Sequence, residues 1–350
     1  MALDGRDILR WGGLIVLSVI CEAALSLARL PGSLLLGPMI AGIAISLAGS
    51  TLRVPTRAFR GGQAIVGCVV ASTITPDILT SVLADWPLLL AVVTAIVLAS
   101  GVVGWLLARW GRLPGTTAVW GTSAGGAAAM MLMAGHYGAD VRMVAFMQYL
   151  RVLIVAGSAG LVGRLAGVGG AGPAMTWFPP LHPVDLLITL AIAFGGGALG
   201  HRLRLPAGGM LLPMMLGAVL HGAGLINLEL PGWLLTISYA IIGWNVGLGF
   251  TRPVLVYALR ALPHIILSIA TLMGFCTVLA WLLVLALGVD PLTAYLATSP
   301  GGMDSVAVIA ASSNVDAGFV MAMQVIRLLA TLAAGPSVAR FVANRVQRHA

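Results

Sequence analysis

Thr293 to Leu329 reads T-A-Y-L-A-T-S-P-G-G-M-D-S-V-A-V-I-A-A-S-S-N-V-D-A-G-F-V-M-A-M-Q-V-I-R-L-L, and it has an earlier twin. Shifting the numbering back by 176 lands on Thr117 to Leu153, where T-S-A-G-G-A-A-A runs Thr122 to Ala129, followed by Asp140 and by M-Q-Y-L-R at Met147 to Arg151. Of these 37 aligned positions 13 are identical without a gap, including Thr, Ser, both Gly, Asp, Gln and Arg. Apolar composition repeats Leu and Ala by chance; it does not repeat polar residues in order. The chain is a duplication, and the paired stretch carries most of its polar chemistry.

Composition sets the class. Hydrophobic residues make up 59% of the 350 and charged residues only 9%, where a water-soluble domain uses about 25% charge to cover its surface. Apolar runs of about 17–25 residues recur, the length that crosses a hydrocarbon core as a helix. The 45 Gly suit close helix approach where lipid provides no hydrophobic drive for packing. The net charge of +8 comes from Arg alone. These Arg stand singly at span ends, a pattern of cytoplasmic retention rather than of a nucleic-acid face. The three Cys are far apart inside apolar runs, so neither a disulfide framework nor a thiolate site is expected.

The alignment extends over nearly the whole chain. R-L-P-x6-P-M runs Arg29 to Met39 and again Arg204 to Met214, and Ala64-Ile65-Val66-Gly67 matches Ala240-Ile241-Ile242-Gly243. The apolar Gly13–Ala28 run resembles a signal peptide, but its counterpart at Asp185–Gly200 argues that it stays as a helix of the repeat. Further spans are expected at Leu34–Ser50, Gly62–Thr75, Trp86–Ala108 and Met143–Val162, with partners at Gly208–Leu225, Leu234–Thr251, Ala261–Leu287 and Gly318–Val338. Loop charges invert between copies. Arg53, Arg57 and Arg60 oppose Glu229, Asp77 and Asp85 oppose Arg252 and Arg260, and Arg109 and Arg112 oppose Asp290. Positive loops stay cytoplasmic, so the halves are expected to be inserted in opposite senses.

Opposite insertion needs an odd number of crossings per half, yet each half has six apolar segments. The T-S-x-G-G segment is the one expected not to cross, being rich in Gly, Ser and Thr and interrupted by Pro300 in the second copy. The expected fold is therefore an all-α polytopic membrane protein. It has two inverted-topology repeats of five transmembrane helices plus one re-entrant or broken helix each, about ten crossings in all. Residues 1–166 form the first repeat, 167–183 a Gly- and Pro-rich linker, and 184–350 the second. Both termini are expected in the cytoplasm, with the chain in the cell (inner) membrane as a multi-pass protein.

Inverted repeats place a solute where broken helices from both halves meet. The candidate binding residues are Thr122, Ser123, Gly125, Gly126, Thr298, Ser299, Pro300, Gly301 and Gly302, whose helix starts and hydroxyls suit an anion. Helix capping without a ligand is the alternative. Gln148, Arg151, Gln324 and Arg327 share one face of the last span of each half. They either hold the solute's negative group or pair with Asp140 and Asp316 to lock the broken segments. Asn245 is a further binding candidate or interhelical glue. Asp304 breaks the symmetry, opposing Ala128; with Asp316 it is the candidate for ion coupling, because an ionisable group in an apolar segment is costly. The His offer no i, i+3 or i, i+4 pair and no metal-ligating cluster. Neither a nucleophile elbow nor a P-loop appears, so no enzyme, metal or cofactor is expected.

The T-S-P-G-G-M and T-S-A-G-G segments, Thr298 to Met303 and Thr122 to Gly126, together with the duplication, resemble the membrane AbrB family and its AbrB duplication domain. The resemblance runs over essentially all of the chain. It departs at Ala124, where the family commonly has Pro, and at the position of the acid after the second Gly pair. It implies kinship with cation:proton antiporters and anion transporters, while names attached to the family also include an ammonia monooxygenase and a regulator of gene expression. The leading expectation is a secondary transporter of a small anionic or amphipathic solute, coupled to H⁺ or Na⁺ by alternating access. The alternative is a membrane-embedded regulator acting through ligand or partner binding, and a monooxygenase stands third. The expected partners are the solute, the coupling ion and the lipid bilayer, with a homodimer common for such folds and no nucleic acid.

Overall fold

The computed structural model describes residues 5–27, 33–73, 85–110, 113, 115–125, 127–165, 177, 182–203, 205, 208–259 and 261–347. Among them the chain is helical, with α1 (Gly5–Leu27), α2 (Ser33–Leu47), α3 (Thr56–Thr73), α4 (Trp86–Trp110), α5 (Gly115–Thr122), α6 (Ala127–His136) and α7 (Val141–Leu165) in the first half. The second half has α8 (Pro183–Arg202), α9 (Gly208–Gly222), α10 (Gly232–Gly247), α11 (Arg252–Ala258), α12 (Leu262–Leu287), α13 (Pro291–Thr298), α14 (Met303–Ala311) and α15 (Ala317–Gln347). No strand occurs among the described residues. Among the described residues six stretches are long and apolar enough to cross a membrane: Leu9–Leu27, Trp86–Trp110, Val141–Gly163, Pro183–Arg202, Leu262–Leu287 and Ala317–Gly335. α2 and α9 are apolar but shorter. α3 begins six residues ahead of the expected Gly62, so Arg57 and Arg60 lie on its first turns. The linker, apart from Trp177, His182 and Pro183, and also Gly126, lie outside the described residues.

Two compact units form, and their division does not follow the boundary between repeats. One unit takes residues 1–80, 160–251 and 304–318; the other takes 81–159, 252–303 and 319–350. Each therefore draws helices from both sequence copies.

In the first unit, α1–α3 pack with their counterparts α8–α10. The packing is reciprocal. A Cβ on Gly67 of α3 would lie 2.5 Å from the Met210 carbonyl oxygen of α9, and one on Gly243 of α10 would lie 2.6 Å from the Leu35 carbonyl oxygen of α2. Gly67 and Gly243 are aligned positions, as are Leu35 and Met210. Only a residue without Cβ lets these backbones meet so closely. The Trp244 indole donates to the Ser18 hydroxyl at 2.9 Å, and Leu14, Ala41, Leu52 and Leu248 form a buried cluster in this unit.

In the second unit, α4 packs on α12 and each carries its own short helix, α5 on α4 and α13 on α12. Gly335 of α15 sits against Trp120, which is fully buried. The Ser158 and Tyr295 hydroxyls meet at 2.6 Å, tying α7 to α13.

Candidate functional site: two interrupted helices and two buried arginines

Both T-S-x-G-G segments are breaks in a helix. α5 ends at Thr122 and α6 begins at Ala127; α13 ends at Thr298 and α14 begins at Met303. An interrupted helix leaves its last carbonyls without intrahelical partners, and within a buried segment each orphan costs free energy. The sequence satisfies them from the last span of each repeat. Gln148 of α7 donates from Nε2 to the Trp120 and Ser123 carbonyls at 2.9 and 3.2 Å. Arg151 donates from Nη1 to the Thr122 and Ser123 carbonyls at 3.1 and 3.0 Å. In the second copy Gln324 of α15 donates to the Leu296 and Ser299 carbonyls at 2.8 and 3.4 Å. Arg327 donates to the Ser299 carbonyl, and to that of Gly301 at 3.2 Å. Each guanidinium also donates to the Oε1 of the Gln one turn earlier. A cation at the carbonyl end of a helix is also favoured by the helix dipole.

The hydroxyls turn into the protein. Thr122 Oγ1 donates to the Ala118 and Ser100 carbonyls at 2.9 and 3.1 Å. Thr298 Oγ1 repeats this with the Ala294 and Cys276 carbonyls, also at 2.9 and 3.1 Å. Ser123 and Ser299 donate back to Val119 and Leu296. Pro300, Gly301 and Gly302 are buried along the second break, as Gly125 is along the first. Thr331 of α15 reaches the Ala124 carbonyl at 3.4 Å, joining the second copy to the first copy's break.

The acids lie elsewhere. Asp140 accepts from the Arg142 and Met143 amides at 3.0 and 3.2 Å, capping α7. Asp316 is exposed just ahead of α15. Among the described residues no carboxylate pairs with Arg151 or Arg327. Both are all but fully buried, 1% and 2% exposed. Neither Nε–H finds a hydrogen-bond partner. Asp304 is the second residue of α14, and its side chain is outside the described set. Asn245 is half-buried on α10, in the other compact unit.

One cluster escaped the sequence reading. Ligand-type atoms of His182, Asp185 and Glu229 lie within 4.8 Å of one another. The Glu229 carboxylate takes the His182 backbone amide at 2.8 Å and its Nδ1 at 2.9 Å, and these bonds account for the approach. The hydrogen bond to Glu229 raises the His182 pKa, and the one from His182 lowers that of Glu229. At 47 positions apart in sequence, the pair was announced by no local spacing.

Comparison with known proteins identifies a family. A family model described as "Transition state regulatory protein AbrB" matches residues 34–343. A protein of Escherichia coli (strain K12) named "Putative regulator AbrB" is 51% identical over 340 residues, covering 96% of this chain and 97% of its own length. "Uncharacterized protein YhjN" of Bacillus subtilis (strain 168) is 24% identical over 297 residues, covering 80% of this chain and 77% of its own. A match of this extent, on a helical chain with membrane-length apolar spans, places the protein in the AbrB family.

Proposed function

We propose that this protein is a secondary transporter that carries a small anionic solute across the cell membrane, coupled to H⁺ or Na⁺. The observation that carries the reading is the pair of buried guanidiniums, Arg151 and Arg327, each lacking a carboxylate partner among the described residues and each with an Nε–H unpaired. Burying an unpaired charge costs several kcal/mol, roughly, even after relaxation. Carbonyls offset part of that cost, and an anion bound transiently beside the interrupted helices offsets more. The unpaired Nε–H suits a planar anion that takes two N–H groups side by side. The candidate binding residues are those flanking the breaks, with Asp304 and Asp316 as candidates for the coupling ion.

The inverted arrangement, with about ten crossings and cytoplasmic termini, belongs to this proposal. Contacts within the first unit support it. Gly243 faces Leu35 and Met39, and Gly247 faces Met39 and Ile43, so α2 and α10 run the same way. Gly67 faces Met210, and Gly217 faces Ala71, so α3 and α9 also run together. Leu52, just ahead of α3, packs with Leu248 at the end of α10, while Gly62 meets its own counterpart Ser238. α3 therefore runs against its twin α10, as opposite insertion requires.

Proteoliposome uptake of a panel of small carboxylates and inorganic phosphate, driven by a pH or Na⁺ gradient, tests the reading. Uptake of at least one anion is expected, lost in Arg151→Gln and Arg327→Gln and uncoupled from the gradient in Asp304→Asn. The regulator reading rests on the names of the family model and of the E. coli relative. Saturable binding of an anion without any flux would favour it.

A further inference from the structure

We propose that Glu22 of α1 binds a proton inside the first unit and shares it with the Leu34 carbonyl of α2. The site stands on packing alone, and its part in coupling rests on the transport reading. Glu22 stands ~20 Å from the start of the apolar run Leu9–Leu27 and ~8 Å from its end. A carboxyl at that depth is costly and is a functional group by default. It does not face lipid. Leu14, Ser18 and Glu22 follow at four-residue steps on one stripe of α1, the first two buried and Glu22 half-buried, while Ile15, Val16, Val19 and Ile20 are exposed. A Cβ on Gly37 of α2 would lie 2.8 Å from the Glu22 Cβ, so the side chain sets out toward α2. Among the described residues it has no hydrogen-bond or ion-pair partner. Ser18, one turn away, donates instead to the Leu14 carbonyl at 2.6 Å. Of the helices α1 meets, α2 has no titratable residue and α10 has only Tyr239; on α1 itself Cys21 is the neighbour.

The duplication points to what stands opposite. Glu22 and Gly197 each lie seven residues before the Arg of R-L-P, Leu34 and Gly209 each five after it, and Pro38 and Pro213 each nine after it. Both prolines sit inside their helices. A proline has no N–H, so the carbonyl four residues earlier loses its helical donor; in α2 that carbonyl is Leu34 and in α9 it is Gly209. In the second copy a Cβ on Gly197 would lie 3.4 Å from the Gly209 carbonyl oxygen and 4.0 Å from the Pro213 Cγ. The position facing the released carbonyl thus has no side chain at 197, and its counterpart at 22 carries a carboxyl. An ionised carboxylate offers only acceptors and repels a carbonyl oxygen, whereas the protonated acid donates one O–H. A single proton between Glu22 and the Leu34 oxygen satisfies both groups and removes the cost that each carries when unpaired away from water.

Labelling of the full chain in liposomes with dicyclohexylcarbodiimide, an apolar reagent that adds to protonated carboxyls, tests this, with peptide mass spectrometry to locate the adduct. Glu22 is expected to be labelled, and about fivefold or more above its labelling by a water-soluble carbodiimide. Pro38→Ala returns an amide to the Leu34 carbonyl and should lower the labelling about threefold or more, while Pro213→Ala should leave it unchanged. Melting temperatures report that both variants fold. Should Pro38→Ala fail to fold, the infrared carbonyl band of a protonated carboxyl, present in the unsubstituted chain and lost in Glu22→Gln, decides instead. An unlabelled Glu22 in the folded chain, equal labelling by the two reagents, labelling indifferent to Pro38→Ala, or the absence of that band overturns the proposal. The part in coupling is read separately. Glu22→Gln should abolish uptake driven by a pH gradient and keep the exchange of solute between the two sides. No uptake by the unsubstituted chain would sink the transport reading and leave the labelling to decide the proton site.

Discussion

The two interrupted helices use the same clamp and differ in how the interruption is enforced. In the second copy Pro300 removes an amide from the helix ladder and disfavours its continuation, although Pro38 and Pro213 are accommodated inside α2 and α9. In the first copy Ala124 stands at that position and nothing in the backbone forbids α5 from running on into α6. There the break is held by side chains: Arg151 and Gln148 on the Thr122 and Ser123 carbonyls, with Thr331 on Ala124. One geometry is thus written once into the backbone and once into the neighbours. The first break should be the softer of the two, and if one of them moves during a functional cycle, it is the first.

The strongest way to break that comparison is to remove each arginine. Arg151→Ala leaves the Thr122 carbonyl and the Gln148 Oε1 without this donor and takes one of several donors from the Ser123 carbonyl in a buried site; it should cost about 3 kcal/mol. Arg327→Ala should cost about 1 kcal/mol less, because Pro300 still holds the break. Melting temperatures in one detergent measure both, and equal losses would remove the distinction. Next, Gly67→Ala and Gly243→Ala should each cost about 1–3 kcal/mol through overpacking, and should match one another because their carbonyl contacts match. Pro300→Ala should cost about 0.5–1 kcal/mol, mainly by freeing the unfolded chain, and should make the second copy as dependent on Arg327 as the first is on Arg151. The smallest effect is at the His182–Glu229 tie. The raised His182 pKa contributes fully below the ordinary 6.5 and is lost as pH rises through the shifted value. The lowered Glu229 pKa contributes above the ordinary 4.5 and is lost as pH falls through its shifted value. The tie is therefore strongest between these pH values, and a Glu229→Gln variant should flatten a shallow pH dependence of the melting temperature.

The membrane class, the duplication and the position of both breaks were legible in the sequence, because hydropathy, polar repetition and Pro300 act locally. The Gln–Arg pair was legible as one face of a helix. What that face meets was not: either an acid or a solute could have stood opposite Arg151, and the structure puts carbonyl oxygens there. Those acceptors belong to the backbone of every residue and leave no mark in a sequence. Asp140 looked like a partner for Arg151 and instead caps α7, a role its place ahead of Val141 also permits. The His182–Glu229 tie and the exchange of helices between repeats depend on contacts distant in sequence, which no periodicity encodes.

That exchange has a consequence for synthesis. α1–α3 leave the ribosome without the helices they pack against, and α8 begins about 110 residues after α3 ends. At elongation rates of about 5–20 residues per second, the first three helices wait roughly 5–20 s with their glycine-notched faces unmatched. During that interval the nascent chain depends on lipid or an insertion factor to shield those notches. A gene cut at residue 166 should yield two fragments that accumulate only when made together.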